Sequence, residues 1–480
     1  MSVDRDLWNA DLAPTEPGAR QWTWVSYCTL WVGMVACIPT YMLASGLIAS
    51  GLSPAQAVML VFVGNVIVLV PMLLIGAAGT RYGVPFPVLL RASFGPRGAQ
   101  VAALARALVA CGWFGINTWV GGSAIYSVVN LITGNSLSGP ALPVAGIDAG
   151  QLACFIVFWG VHLVFIARGT ESIRWLETLA APVLLLMALV LLGWAYVRAD
   201  GFGPMVSTPS AFGPGSGREA QFWPTIASSL TAMVGFWATL ALNICDFTRF
   251  SRSQRDQVIG QVLGLPLPMA LFSFIGVAVT SATVVIFGHA IWQPTELATH
   301  LGVPGAVLTL VVVLLCTLTV NMAANVVSPS YDFSNLAPAR ISFAGGGYIT
   351  AALGLVMMPW KLLASAGTYL FVWLVGYSAL LGPIAGIMIC DYYLVRHRRL
   401  VTQDLFRHAG RYRGLRGFNL SAVIALACAI APNLPGFLHS VGLVSAVAPV
   451  FDTIFTGAWF VGFFVAGAVY TALARGTAES

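Results

Sequence analysis

Long apolar stretches alternate with short polar segments along the whole chain. An α-helix needs about 20 apolar residues to cross the hydrocarbon core of a bilayer. Continuous apolar runs of this length favour helices over the alternating pattern of membrane β-strands. The pattern predicts twelve membrane-spanning helices, which we number spans 1 to 12. Their bounds are 23–50, 55–79, 99–132, 149–167, 173–197, 223–248, 258–287, 303–327, 343–362, 366–394, 418–437 and 449–474.

Two features of spans 1 to 5 recur in spans 6 to 10. Spans 1 and 6 each contain a Val-Gly pair, with glycines at Gly33 and Gly235, and a short amphipathic stretch follows spans 2 and 7, at 84–98 and 289–301. Such features at corresponding positions predict an inverted repeat of five plus five helices, with spans 11 and 12 appended, as in secondary transporters. The alternative for the glycines is chance, because glycine is common in membrane helices.

The repeat and the charges together predict how the chain is organised. Arginines concentrate in alternate connecting segments. By the positive-inside rule, we expect a multi-pass protein of the inner membrane with both termini in the cytoplasm. The predicted segments are an N-terminal tail at 1–22, a first half at 23–197, a second half at 223–394, spans 11 and 12 at 418–474, and a C-terminal tail at 475–480.

Composition excludes several classes of protein. Of the 480 residues, 58% are hydrophobic and 8% are charged, and the mean hydropathy is +0.85, so the charges are too few to cover a soluble globule. The net charge of +6 follows from topology and predicts no nucleic-acid partner. The eight cysteines lie singly in apolar segments, which argues against a metal or disulfide framework. The sequence holds no catalytic cluster, so neither an enzyme nor a bound cofactor is expected.

The stretch TAMVGFWATLALNICD (231–246) in span 6 is the first candidate for chemistry. Two large aromatic residues, Phe236 and Trp237, follow its glycine directly. In hydrocarbon, a helix can break only where the freed backbone groups face protein or a wet cavity. A break flanked by aromatic rings therefore predicts a binding site near the middle of the bilayer.

Spans 3 and 8 offer polar groups to such a site. In span 3, Trp113 and Asn117 are four residues apart and share one helix face. An indole and a carboxamide suit a flat heterocycle, which stacks on one and hydrogen-bonds with the other. In span 8, Asn321 and Asn325 also share a face, and buried amides in hydrocarbon are costly unless they are paired. The alternatives are tryptophan packing and hydrogen bonding between helices.

Few residues within the spans can ionise. Asp246 and Asp391 each lie at a helix end beside arginines, which predicts anchoring ion pairs. His162 lies on an apolar face, and we interpret it as a structural histidine rather than a proton carrier. No carboxylate is an obvious carrier of a proton.

Several longer motifs are distinctive. They are WVGMVACIPTYMLASGLI (31–48), WFGINTWVGG (113–122), NICDFTRF (243–250), NVVSPSYDFSNLAP (325–338) and LGPIAGIMICDYYLV (381–395). Across nearly the whole chain they resemble the nucleobase:cation symporter-1 family of hydantoin, uracil, allantoin and cytosine permeases. The resemblance implies the leucine-transporter fold, alternating access around a central site, and symport of a flat nitrogen heterocycle such as uracil, allantoin or a hydantoin.

The resemblance also implies a substrate site. Its members are Trp113, Asn117, Phe236, Trp237, Asn325 and Cys37. The two indoles would sandwich the ring, and Asn325 would meet its polar edge. Three positions depart from the hydantoin transporter, since Asn117 and Cys37 both replace glutamine and Phe236 replaces glycine and narrows the pocket. The segment 369–374 of span 10 is expected to close over the ring.

For a coupling cation, the resemblance implies a sodium site between spans 1 and 8. Gly33, Ala36 and Cys316 would supply carbonyl oxygens and Thr319 one hydroxyl, but the second hydroxyl position is Val320. A methyl group cannot bind a hard cation. Proton coupling is therefore placed ahead of sodium coupling.

The expected partners are a small nucleobase-like substrate and the lipid bilayer, and the expected state is a monomer. Within the family, a cytosine, purine or thiamine-precursor permease is the alternative. Outside it, a channel would need a continuous polar pore lining and would never carry its solute beyond equilibrium.

Overall fold

The computed structural model of the protein describes residues 3–168 and 170–475. Residues 476–480 of the predicted C-terminal tail and the first two residues of the N-terminal tail lie outside the described part. Within it the fold is helical, and β structure is limited to three isolated bridges. The predicted all-α class is confirmed.

Spans 1 to 5 correspond to the first helices of the structure. These are α1 (Trp24–Val35), α2 (Ile38–Ala49), α3 (Pro54–Tyr82), α4 (Phe86–Phe94), α5 (Gly98–Thr133), α6 (Ala149–Arg168) and α7 (Thr170–Arg198), followed by the short α8 (Phe202–Val206). α3 begins after the N-cap Ser53, whose hydroxyl accepts from the Gln56 amide, and ends at Gly83, where φ of +69° favours glycine.

The next helices lie in spans 6 to 10 and in the segments that connect them. These are α9 (Phe222–Phe236), α10 (Ala238–Asn243), α11 (Cys245–Thr248), α12 (Gln254–Gly264), α13 (Pro266–Phe287), α14 (Pro294–Thr299), α15 (Gly302–Asn325), α16 (Val327–Leu336), α17 (Phe343–Val356) and α18 (Val375–Cys390). π-Helical turns at Thr368–Leu374 and Asp391–Val395 flank α18.

Four further helices complete the described chain. These are α19 (Leu420–Ile430), α20 (Leu434–Ser440), α21 (Pro449–Thr456) and α22 (Ala458–Arg475). Short 3₁₀ turns lie at Pro17–Ala19, Glu219–Gln221, Pro359–Lys361, Thr402–Phe406 and Ala431–Asn433.

The helices have the lengths that a membrane protein requires. Among the described residues, seven helical segments are long and apolar enough to cross a bilayer, and ten are if each of three bent pairs counts as one span. Two shorter apolar helices, Leu185–Arg198 and Phe343–Val356, lie at predicted spans 5 and 9. A helix thus lies at every predicted span, while the count of twelve crossings stays a prediction.

Span 1 breaks three residues later than its glycine, which lies inside α1. α1 and α2 meet at 57°, with Ala36 and Cys37 between them. The cause is Pro39, because a proline ring clashes with the carbonyl four residues before it and has no N–H to donate. The carbonyl of Val35 accepts instead from the amide of Cys37, at 2.8 Å.

Span 6 also breaks beyond its glycine, at Trp237, where the helices on either side meet at 42°. The carbonyl of Gly235 accepts a hydrogen bond from the hydroxyl of Tyr377, at 2.8 Å. A Cβ on Gly235 would lie 2.2 Å from Oγ of Ser378, so the glycine permits close packing with span 10.

One predicted boundary is wrong. Span 9 ends at Val356 rather than at 362, because Pro359 disfavours helical backbone in the residue before it, and Met358 turns to φ +48°. Span 12 keeps its predicted bounds to within one residue but is bent, since α21 and α22 meet at 88° across Gly457.

α5 lies at the centre of the fold. It is 36 residues long and packs against α6, α15, α16 and α17. The middle of α5, at Trp113 and Asn117, lies beside the two helix breaks, and this places the candidate site.

Candidate functional site

A pocket lies where the breaks of spans 1 and 6 meet α5 and α15. All six predicted substrate residues line it: Cys37, Trp113, Asn117, Phe236, Trp237 and Asn325. They come from four separate stretches of sequence, and the fold brings them together. Their role in binding stays a prediction.

Aromatic rings fill most of the pocket. The ring centroid of Phe236 lies 5.3 Å from that of Trp113 and 4.9 Å from that of Trp237, nearly perpendicular to both. The remaining cavity measures about 30 Å³. Because the ring of Phe236 lies against both indoles, a flat heterocycle can stack between Trp113 and Trp237 only after Phe236 moves.

Three polar atoms of pocket-lining residues have no hydrogen-bond partner within the described part of the chain. Nδ2 of Asn117 donates to the Trp113 carbonyl at 3.1 Å, but its Oδ1 accepts no hydrogen bond there. Nε1 of Trp113 and Nε1 of Trp237 likewise have no acceptor. Buried groups of this kind are costly unless they are satisfied. One acceptor and two donors are thus available to a polar ligand.

A further polar side chain of the pocket, that of Asn325, belongs to a series of hydrogen bonds. Nδ2 of Asn325 donates to Oδ1 of Asn321 at 2.9 Å, and Nδ2 of Asn321 lies 3.0 Å from Nε2 of His162. The other ring nitrogen of His162 lies 2.9 Å from the Phe158 carbonyl. His162 is fully buried with partners at both nitrogens, as the structural interpretation requires.

The residues of the predicted cation site lie at the break of span 1 and on α15, and α1 contacts α15. The amide of Cys37 donates to Val35, so it is not used by the Gly33 carbonyl four residues before it. Ala36 lies in the break itself. On α15, Cys316 is buried and the Thr319 hydroxyl donates to the Leu315 carbonyl at 2.7 Å, which leaves lone pairs for a cation.

Val320 follows Thr319 in α15 and lines the pocket described above. Its methyl groups can give a sodium ion no ligand. The residues present therefore fit only part of the sodium site that the resemblance implies.

Span 10 contributes three aromatic residues near Trp113, of which two lie in the predicted closing segment 369–374 and one, Tyr377, was missed by sequence reasoning. Tyr369, Trp373 and Tyr377 lie with ring centroids 6.1, 6.2 and 6.4 Å from that of Trp113. The hydroxyl of Tyr369 donates to the Pro39 carbonyl at 3.2 Å and ties this segment to span 1. The signal was a spacing of four residues between successive aromatics, which puts them on one helix face.

One predicted ion pair is found and the other is not. Asp391 pairs with Arg396 at 2.8 Å. Asp246 instead accepts from the backbone amide of Phe86 at 2.8 Å, while the adjacent Arg249 binds the hydroxyl of Thr15. Arg249 thus contacts the N-terminal segment, which is remote in sequence, instead of Asp246.

Comparisons with known proteins bear on the family of the whole chain. A family model described as "Permease for cytosine/purines, uracil, thiamine, allantoin" matches residues 14–462. A purine-uracil permease of Arabidopsis thaliana is 46% identical over 97% of this chain and 78% of its own length. An allantoin permease of Bacillus subtilis is 40% identical over 98% of this chain and 93% of its own length.

A solved structure is similar along almost the whole chain. It is that of Mhp1, a nucleobase-cation-symport-1 family transporter, in a closed conformation with bromovinylhydantoin bound. The TM-score is 0.75 at 26% identity, and the match covers 98% of this chain and 96% of that one.

Proposed function

Since the chain belongs to the family of permeases for cytosine/purines, uracil, thiamine and allantoin, the nucleobase:cation symporter-1 family, we propose that it imports a flat, neutral nitrogen heterocycle on a cation gradient. Uracil, allantoin and hydantoins are the preferred substrates. The observation that carries the proposal is the pocket at the two helix breaks, where two indoles and two carboxamides meet.

Within this pocket, different side chains bind different parts of the substrate. The substrate ring stacks between Trp113 and Trp237 once Phe236 has moved aside. The free Oδ1 of Asn117 and the carboxamide of Asn325 bind the polar edge of the ring. Cys37 closes the wall near span 1, where its Sγ lies 3.2 Å from Oγ1 of Thr40. The buried segment beginning at Tyr369 covers the ring.

The proposed architecture is the five-plus-five inverted repeat of the leucine-transporter fold with twelve spans. Three features support it: broken helices at spans 1 and 6, the short α4 after span 2, and the short α14 after span 7. The halves are 23–197 and 223–394, followed by 418–474. The arginine distribution supports an inner-membrane protein with both tails, 1–22 and 475–480, in the cytoplasm. The proposed oligomeric state is a monomer.

A proton is the proposed coupling ion, ahead of sodium. The support is Val320, which stands where the sodium site requires a second hydroxyl. Thr319 with the carbonyls of Gly33, Ala36 and Cys316 forms an incomplete set of oxygen ligands for a hard cation.

Uptake into cells that lack their own permeases tests the function. Radiolabelled uracil, allantoin and hydantoin are supplied at fixed pH with and without sodium, and each assay is repeated with a protonophore. We expect accumulation above equilibrium that the protonophore abolishes and sodium leaves unchanged. Uptake that never exceeds equilibrium would indicate a channel, and strict sodium dependence would reverse the order of ions. Competition by cytosine, purines and thiamine precursors tests the alternative substrates.

The stacking residues provide the matching variants. Base–aromatic stacking contributes about 1–3 kcal/mol per ring, so Trp113→Ala and Trp237→Ala are expected to weaken substrate binding roughly 5- to 150-fold and to abolish measurable uptake. Trp119→Ala, on the same helix but outside the pocket, is the control for membrane insertion. Full transport by either pocket variant would contradict the stacking arrangement.

A further inference from the structure

We propose that His162, a residue outside the pocket, is a positioning residue that fixes which end of the Asn325 carboxamide faces the substrate. The two side chains are joined through Asn321, in a hydrogen-bond chain from α6 to the pocket wall on α15. The inference deepens the proposed function, and its transport test rests on that function.

This series of hydrogen bonds begins at a backbone carbonyl, which can only accept a hydrogen bond. The carbonyl of Phe158 accepts hydrogen bonds and never donates, so the hydrogen of the His162 ring must be on Nδ1, 2.9 Å away. In a neutral imidazole, Nε2 then carries no hydrogen and is an acceptor. This tautomer matches Nδ2 of Asn321, a donor, at 3.0 Å from Nε2.

A second fixed acceptor holds Asn321 in the same orientation. Its Nδ2 also lies 3.1 Å from the backbone carbonyl of Phe114 on α5. Turning this carboxamide over would set its oxygen against both acceptors. Oδ1 of Asn321 must therefore face Asn325, whose Nδ2 donates to it at 2.9 Å.

The orientation of Asn325 follows. Its Nδ2 is used by Asn321, and no donor among the described residues reaches its Oδ1, while the residue lines the pocket. The pocket is thus offered a carbonyl oxygen. That oxygen matches a ring N–H and repels a bare ring nitrogen or a carbonyl, so the substrate must present an N–H at this edge.

Three substitutions at one position separate this role from packing. His162→Gln keeps an acceptor near the place of Nε2, because the glutamine side chain reaches that far. His162→Asn reaches only to the place of Nδ1, so it can bind Phe158 but not Asn321. His162→Phe keeps a ring of similar size and loses both nitrogens.

The transport test compares uptake of the preferred heterocycle with competition by its N-methylated derivatives. Wild type and His162→Gln are expected to reject at least one derivative strongly. His162→Asn and His162→Phe are expected to lose about tenfold in that discrimination, because Asn321 then keeps the Phe114 carbonyl but loses the ring of His162 and turns over, together with Asn325, more often. Unchanged discrimination in both of these variants, with normal amounts of protein in the membrane, would overturn the proposal.

A second measurement needs no substrate. Nitrogen-15 NMR of labelled, detergent-solubilised protein distinguishes the two tautomers of imidazole, and the spectrum of His162→Gln identifies the signals of His162. We expect a neutral ring with hydrogen on Nδ1. A ring with its hydrogen on Nε2 would contradict the proposed orientation of Asn321 and Asn325. Should the wild type transport no heterocycle, the proposed function fails, and this spectrum alone still decides the inference.

Discussion

At the residue scale, Phe236 decides how much room the pocket has. Its ring lies edge-on against both indoles and leaves a cavity of about 30 Å³. We expect Phe236→Ala to widen the site, so that bulky 5-substituted hydantoins compete for uptake at least about tenfold better. Competition assays measure this, with Phe236→Leu as a control of similar bulk. Unchanged competition would mean that another side chain limits the space.

Val320 is the second decisive residue, because it occupies the position of a missing hydroxyl. Val320→Thr adds a hydroxyl with almost the same shape, next to the Thr319 hydroxyl. With a second oxygen ligand, sodium is expected to stimulate uptake at least several-fold. The measurement is uptake against sodium concentration, with Val320→Ala as the control. Equal responses of the two variants would place the cation elsewhere.

At the element scale, the glycines of the two broken spans have different roles. A Cβ at Gly235 would lie 2.2 Å from the Ser378 side chain and 2.9 Å from the Leu374 carbonyl, whereas one at Gly33 meets nothing within 4 Å. Overpacking typically costs about 1–3 kcal/mol. Gly235→Ala is therefore expected to lower thermal stability and transport, and Gly33→Ala to be tolerated. Thermal unfolding in detergent provides the comparison, and equal loss in both variants would contradict it.

At the scale of the whole molecule, the N-terminal segment joins distant parts of the chain. Arg91 of α4 donates to the carbonyls of Leu7 and Leu405, at 2.8 and 2.9 Å. Beside them, His408 lies 2.6 Å from the carboxylate of Asp6. These contacts fasten the segment before α1 to the loop after span 10.

The Asp6 contact makes this attachment depend on pH. The hydrogen bond with His408 lowers the pKa of Asp6 below its ordinary value of 3.8. A carboxyl group whose pKa is lower in the folded than in the unfolded protein stabilises the folded state at pH values above its unfolded pKa. This stabilisation is lost as the pH falls through the pKa of the folded state. We expect protease cleavage of the N-terminal segment to rise below about pH 4. Because the Asp6–His408 pair is exposed, its contribution to stability is modest. Asp6→Asn is expected to increase cleavage already at neutral pH and to remove the dependence of cleavage on acid.

Local chemistry explains why much of this protein could be predicted from its sequence. Because helices in hydrocarbon must satisfy their own backbone groups, the long apolar runs predicted the helices directly. The positions of Trp113 and Trp237 followed from the family motifs. Two positions that differ from the prediction depend on single prolines. Pro39 and Pro359 act on the residues before them, and this shifted the break of span 1 and the end of span 9.

The sequence by itself determined the helical class, the broken spans and which side chains could meet a heterocycle. Only the tertiary structure decided how those side chains are oriented and partnered. Asn325 and His162 are 163 residues apart along the chain, and no spacing rule relates them. The direction of their hydrogen bonds depends on fixed acceptors from α5 and α6, the carbonyls of Phe114 and Phe158. Such orientation exists only once helices distant in sequence have packed together.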